Sequence, residues 1–266
     1  MGGWDRSRSP AWSRLMTAVA PQTLKLTLEY DGTDFAGWQL QAQGERTVEG
    51  ELRAALARLP GSFDALHAAG RTDAGAHAEG QVVSLTYEGS LGVDRLTAAL
   101  NAHLPDDVAV LSAEPVDPGF HARYSARWRR YRYRYLDRPA RPVLDRRTCW
   151  HVSGPLDAGA MQEAAALLVG RHDWTTFCSA TEPEEDRVRE VREAAVRRSG
   201  AAIDLDLLGE GFLRGLVRGL AAGVAEVGLD RRPPSWLAEI VRARDRSLAP
   251  ATAPAKGLTL VEVLYE

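Results

Sequence analysis

Of the side chains that could do chemistry, the most suggestive group is the run A-G-R-T-D-A-G-A-H, Ala69 to His77. It sets one carboxylate, Asp73, between Gly70 and Gly75, with a cation, Arg71, two residues before it. Glycines tolerate backbone angles that other residues resist, so a turn built on them can hold its central side chain in one exposed pose. An ionised carboxylate held that way can act as a nucleophile or a base. Asp in a turn also hydrogen-bonds its own backbone, and these residues alone favour that plainer role.

Other chemistries find little material. The six His, at 67, 77, 103, 121, 151 and 172, lack H-x-x-x-H or Cys/His metal spacing. No Walker A sequence or dinucleotide fingerprint follows a strand. Cys149 and Cys178 form neither a CxxC pair nor a disulfide framework, so reduced thiols in a cytoplasmic protein are expected. The inventory left is carboxylate, Arg and Tyr.

Those residue types recur in two places. The run R-R-Y-R-Y-R-Y, Arg129 to Tyr135, puts Tyr131, Tyr133 and Tyr135 on one face of a strand and Arg130, Arg132 and Arg134 on the other. The plain reading is aromatics in and solvated Arg out; the functional one is a stacking bed for bases beside cations for phosphates. Just before it, F-H-A-R-Y, Phe120 to Tyr124, mixes aromatic and basic side chains in a loop, which favours nucleic acid over a small anion. In the segment Phe212 to Val227, helical by spacing, Gly215 and Gly219 each cost about 0.5–1 kcal/mol relative to Ala, so a close neighbour is expected there. Arg214 and Arg218 share a face of that helix. Arg214 reads as solvated, whereas Arg218, mid-helix among apolar residues, calls for a carboxylate partner.

The elements that must position these groups follow from periodicity. Leu24 to Tyr30 alternates as a half-buried strand. Thr47 to Leu59 and Val93 to Leu104 are helices by spacing. Asp64 to Ala69 is a short strand, Gln81 to Tyr87 a better one, and Val108 to Ala113 another. That order, β-α-β-β-α-β, is the ferredoxin-like, RRM-like unit. The second half repeats it: strand Arg130 to Leu136, helix Asp157 to Val169, a hairpin of Val188 to Arg198 with Ala201 to Leu208, helices Phe212 to Val227 and Pro234 to Arg244, and strand Leu258 to Tyr265. An α+β fold is expected, with two pseudo-symmetric domains (22–116 and 117–266), a largely antiparallel sheet and a central cleft for the site. Residues 1–21 read as a flexible extension, or as a start chosen too early with Met16 as the alternative.

Composition fits a polyanionic partner held in one place. Residues 121–147 carry ten Arg against two Asp, an excess of eight positive charges, whereas the whole chain carries −3 and its remainder therefore −11. No apolar run is long enough to span a bilayer.

Seven motifs then occur in order: Y-D-G-T-D-F-A-G-W-Q (Tyr30 to Gln39), A-G-R-T-D-A-G-A-H, A-L-N-x-x-L-P (Ala99 to Pro105), F-H-A-R-Y-S-A (Phe120 to Ala126), R-R-Y-R-Y, G-F-L-R-G-L-V-R and A-K-G-L-T-L (Ala255 to Leu260). Together they closely resemble the tRNA pseudouridine synthase A family, over about Leu24 to Tyr265. The resemblance implies an isomerase that turns uridine into pseudouridine at positions 38 to 40 of the tRNA anticodon stem-loop, a homodimer needing neither metal nor cofactor. Carried over, Asp73 is the essential carboxylate, and Tyr131 stacks on the uracil and takes part in removing its C5 proton. Arg218 pairs with Asp73, Leu258 lines the base pocket, and Arg71 helps extrude the nucleotide. Phe120, His121, Ala122, Arg123 and Tyr124 are expected at the substrate. Gly215 and Gly219 depart from the family, where His and Asn are common.

Two other readings compete. A non-catalytic RNA-binding protein explains Arg and Tyr but gives Asp73 and Arg218 no task. A phosphate-handling enzyme built on Asp73 lacks metal ligands and a phosphate loop.

Overall fold

The alternation of L-K-L-T-L-E-Y decides the first strand. In the computed structural model, β1 (Gln22–Tyr30) buries Leu24, Leu26, Leu28 and Tyr30 on one side and leaves the residues between them partly exposed. The structure describes residues 20–178, 183 and 187–266, so nearly all of the expected extension at 1–21 lies outside the described residues.

Fourteen further elements build on β1 before the closing strand. They are α1 (Val48–Leu56), β2 (Ser62–Phe63), β3 (His67–Ala68), β4 (His77–Glu88), α2 (Val93–Asn101), β5 (Val108–Pro115), β6 (Trp128–Leu136), β7 (Trp150–His151), α3 (Ala158–Ala166), β8 (Gly170–Asp173), β9 (Val188–Ser199), β10 (Ala202–Gly209), α4 (Leu216–Gly228) and α5 (Ser235–Ala243). The last strand is β11 (Leu258–Leu264). Helix starts follow capping chemistry. The Thr47 hydroxyl accepts from the Gly50 N–H, and the Asp157 carboxylate from Gly159 and Ala160, each satisfying donors that have no partner inside the helix.

Among the described residues the eleven strands form one sheet, ordered β5-β1-β4-β11-β6-β10-β9-β8, with β2 and β3 on β4 and β7 on β6. Pairing is antiparallel except β4 with β11 and β6 with β7. One continuous core takes in side chains from all five helices and from one face of the sheet. Among the described residues no helix is long and apolar enough to cross a membrane.

Two expectations need correction. Of the strand expected over Asp64 to Ala69 only β3, His67–Ala68, forms; β2 lies before that span, and Asp64 grips Thr86 with its N–H at 3.1 Å and its carboxylate at 2.6 Å. The helix expected from Phe212 begins at Leu216, and Gly215 precedes it at φ 76°, a left-handed angle that favours glycine. Gly215 is therefore a hinge into the helix and carries no helix-interior cost. Gly219 is inside α4, and the close neighbour expected there is Phe177: a Cβ on Gly219 would stand 2.8 Å from its ring.

The site depends on where the sheet parts. β11 pairs with β4 over only two steps, Thr259 with His77 and Leu260 with Ala78. Farther along the same edge β3 takes over, with Ala68 opposite Val83. The loop carrying Asp73 joins β3 to β4 across this opening.

Candidate active site

The Asp73 loop is held by its backbone. Its carbonyls accept from three separate directions: Gly70 from the Gln81 side-chain amide at 2.7 Å, Thr72 from the Trp38 N–H at 3.1 Å, and Asp73 from the Ala76 N–H at 3.1 Å. The Gly75 N–H donates to Phe35, and the Thr72 hydroxyl meets the Tyr30 hydroxyl at 2.8 Å. Burial pushes the Tyr30 phenol up to about 12, so it stays neutral in this pair. His77 closes the far end: its Nδ1 accepts the Gly32 N–H at 3.1 Å, which leaves Nε2 to donate to the Arg147 carbonyl at 2.9 Å. The Y-D-G-T-D-F-A-G-W-Q run is thus a clamp on the carboxylate loop. Its Gly32 must be glycine for steric reasons, since a Cβ would collide with the Ala76 carbonyl oxygen.

The loop aims Asp73 at α4. Arg218 Nη1 donates to Asp73 Oδ2 at 2.9 Å, and the two side chains are only 20% and 22% exposed. Arg218 is fixed in turn, with Nε on the Ala253 carbonyl at 2.7 Å and the Ala253 N–H on the Arg218 carbonyl at 3.1 Å. The carboxylate partner that the helix pattern called for is Asp73. A second guanidinium stands nearby: Arg214 Nε is 4.0 Å from Asp73 Oδ1, on a side chain 83% exposed. Arg214 is solvated as expected, but it does not share a helix face with Arg218. It lies one residue before Gly215, outside the helix, and the left-handed turn there returns it toward the carboxylate.

Tyr131 completes the group. It is 7% exposed, edge-on to Phe212 at 5.3 Å between ring centroids, and its hydroxyl would touch a Cβ on Gly70 at 3.2 Å. Burial raises its phenol above the ordinary value, the negative charge of Asp73 adds to that, and the Arg129 cation opposes it. Among the described residues the hydroxyl has no hydrogen-bond partner. Tyr133 and Tyr135 differ from it. Both are fully buried, and they donate to the Pro254 and Ala221 carbonyls at 2.8 Å each. The stacking bed expected of three tyrosines reduces to one, and the other two are core.

The remaining expected residues divide. Arg71 is exposed and has no partner among the described residues. Leu258, 6% exposed, opens β11 opposite Tyr133, just past the turn in which Ala255 faces Gly75. Phe120 to Tyr124 is not brought to Asp73. Ala122 donates to the Ser84 hydroxyl, on the face of β4 opposite to Val83 and Leu85, and accepts from Tyr265. Phe120 packs on Tyr265 at 4.9 Å, while His121 stacks between His67 and Tyr124 at 4.4 Å each. Arg123 and Tyr124 are exposed at the tip.

The arginine row of β6 has another task. Arg130 pairs with Glu262 at 2.7 Å and Glu193 at 3.2 Å, Arg132 with Asp206 at 3.1 Å, and Arg134 with Asp204 at 2.7 Å. These cations are neutralised within the chain. A cavity of about 350 Å³ on that side is lined by Glu29, Asp31, Glu79 and Asp107 as well as Arg132 and Arg134, a poor setting for a polyanion. Among the described residues no group of three or more His, Cys, Asp or Glu could hold a metal ion.

Comparison with known proteins gives the family. A family model described as tRNA pseudouridine synthase matches residues 27–125 and 164–266. The chain is 45% identical over 243 residues to tRNA pseudouridine synthase A of Moorella thermoacetica, covering 91% of this chain and 99% of the relative. It is 44% identical over 242 residues to the protein of that name from Brevibacillus brevis, with 91% and 99% covered. It is 46% identical over 245 residues to the one from Thermus thermophilus, with 91% and 96% covered.

Proposed function

We infer the function from one premise: the chain belongs to the tRNA pseudouridine synthase family and is an isomerase that acts on tRNA. We propose that it converts uridine to pseudouridine at positions 38 to 40 of the anticodon stem-loop, using the Asp73 carboxylate and no cofactor. The observation that carries this reading is the Asp73–Arg218 contact at 2.9 Å beside the buried phenol of Tyr131. An RNA-binding protein without activity has no use for such a pair.

In the reaction the N1–C1′ bond breaks, uracil turns, and C5 bonds to C1′. The C5 proton leaves and N1 takes one up, so the atoms balance. The Asp73 carboxylate drives the first step, either by attack at C1′ or by taking a sugar proton, and Arg218 holds it aimed. Tyr131 stacks on the uracil and assists removal of the C5 proton. Leu258 lines the pocket, and Arg71, exposed and unpaired, takes the phosphates of the extruded nucleotide. Phe120, His121, Ala122, Arg123 and Tyr124 hold flanking RNA at a distance from the carboxylate. Pulling a base from its stack costs a few kcal/mol, which these contacts must supply.

The strand order supports reading 22–116 and 117–266 as two copies of one ferredoxin-like unit about a central cleft. Each half runs fourth, first, third, second, as β5-β1-β4 with β2 and β3 beyond, and as β11-β6-β10-β9. A homodimer and a cytoplasmic setting come with the family resemblance, and sedimentation of the purified chain tests the first. The activity is tested by incubating the chain with unmodified tRNA transcripts and mapping pseudouridine by a specific chemical label. Product at 38, 39 or 40 is expected; product elsewhere, or none, overturns the assignment.

A further inference from the structure

Arg129 heads the basic strand, yet it does nothing that a phosphate-binding or solvated arginine does. It is 8% exposed and has no carboxylate partner among the described residues. Its guanidinium instead donates to four backbone carbonyls. Nε and Nη2 both reach Ala69, at 3.3 and 3.1 Å, Nη2 also reaches Arg123 at 2.6 Å, and Nη1 reaches Ala126 at 3.3 Å and Glu210 at 2.5 Å. Five contacts occupy all five donors of the side chain.

The carbonyls belong to three separate stretches. Ala69 opens the loop that carries Asp73. Arg123 and Ala126 belong to the turn presenting Tyr124 on the other side of β4. Glu210 leads into the segment bearing Phe212, Arg214 and Arg218. A buried cation with no counter-ion is unfavourable, and desolvation indeed lowers the basicity of this one. A sequence that merely needed to fill the space would do better with a methionine. The planar fork of arginine is the one side chain that can hold several carbonyls in a fixed relative placement.

We propose that Arg129 is a positioning residue: it sets the carboxylate loop, the arginine-bearing approach to α4 and the 120–126 turn at fixed distances from one another. The idea rests on the reading of Asp73 and Arg218 given above, and it assigns Arg129 no contact with RNA. Lysine at this position keeps the buried charge but brings three donors from a single point, too few for the four carbonyls that arginine holds.

The test is Arg129→Lys, read by single-turnover conversion at saturating enzyme, by melting temperature and by backbone hydrogen exchange. Conversion should fall about 100-fold, the loss that a misplacement of about 1 Å brings. The melting temperature should stay well above that of the assay, and exchange should quicken together in 69–76 and 120–126. Conversion within about twofold of the unaltered chain would overturn the proposal. Should the variant not fold, the unaltered chain decides under rising denaturant. Amides of 69–76 and 120–126 opening as one unit support the link, and independent opening overturns it. An unaltered chain that makes no pseudouridine would instead remove the functional assignment, leaving the exchange result to judge Arg129 by itself.

Discussion

The two faces of β6 carry the same local chemistry and put it to opposite uses. On one face Tyr131 stands at the opening beside Asp73, while Tyr133 and Tyr135 are sealed in the core. On the other, Arg130, Arg132 and Arg134 are tied to Glu193, Glu262, Asp204 and Asp206. The difference teaches that a cluster of charge in sequence is not a patch of free charge in space. Cations available to a polyanion include the scattered Arg71, Arg123 and the largely exposed Arg214, each on a different loop.

The contrast is sharpest for a matched pair of substitutions. Arg218→Met removes the cation that hydrogen-bonds Asp73 and should lower conversion at saturating tRNA on the order of 100-fold. Arg132→Met, on the arginine face, should leave conversion within about twofold and cost about 1–3 kcal/mol in chemical unfolding. Asp206 then keeps only Arg197, at 2.9 Å. Equal losses of activity from both would erase the distinction between the faces.

A second pair divides the tyrosines. Tyr131→Phe keeps the ring and should reduce conversion by about 10–100-fold with little change in stability. Tyr133→Phe should do the reverse, costing about 1 kcal/mol through the lost bond to Pro254 while the enzyme turns over normally. Smaller effects are expected in binding. Replacing Arg71, Arg123 or Arg214 with Gln should each flatten the slope of log affinity against log salt by about 0.7–0.9, and Arg130→Gln should not. A slope altered by Arg130 and not by the other three would return the nucleic acid to the arginine face.

The smallest signal is in the phenols. Tyr30, Tyr131, Tyr133, Tyr135 and Tyr265 are all raised above the ordinary 10.0 by burial. Because the folded form resists their ionisation, the stability they contribute is full below that value and declines as pH climbs past it. Phenolate absorbance of these five should remain suppressed there and appear in one step with unfolding. Gradual titration from pH 10 in a folded chain would show the rings to be solvated.

Much of this was legible because it is local. Alternation places β1 and β6, and Thr47 and Asp157 announce their helices through side chains that cap them. Arg218 could be matched to a carboxylate in advance because an unpaired charge in an apolar helix is costly. What sequence concealed lies in tertiary pairings. Asp204 and Asp206, on β10, neutralise arginines some seventy residues earlier, and nothing in R-R-Y-R-Y-R-Y forecasts them. Gly215 reads as helix interior until its left-handed angle is seen, and with it goes the placement of Arg214. Arg129 looked like one more basic side chain, and only the folded chain reveals its four carbonyls.

The central claim is that the Asp73 carboxylate, gripped by Arg218, does the chemistry. Asp73→Asn tests it most directly, because the amide keeps the shape and loses the charge. The measurement is pseudouridine formed in unmodified tRNA at saturating enzyme, with tRNA affinity determined on the same preparation. The account predicts no pseudouridine and binding close to that of the unaltered chain. Conversion that survives the substitution would contradict it.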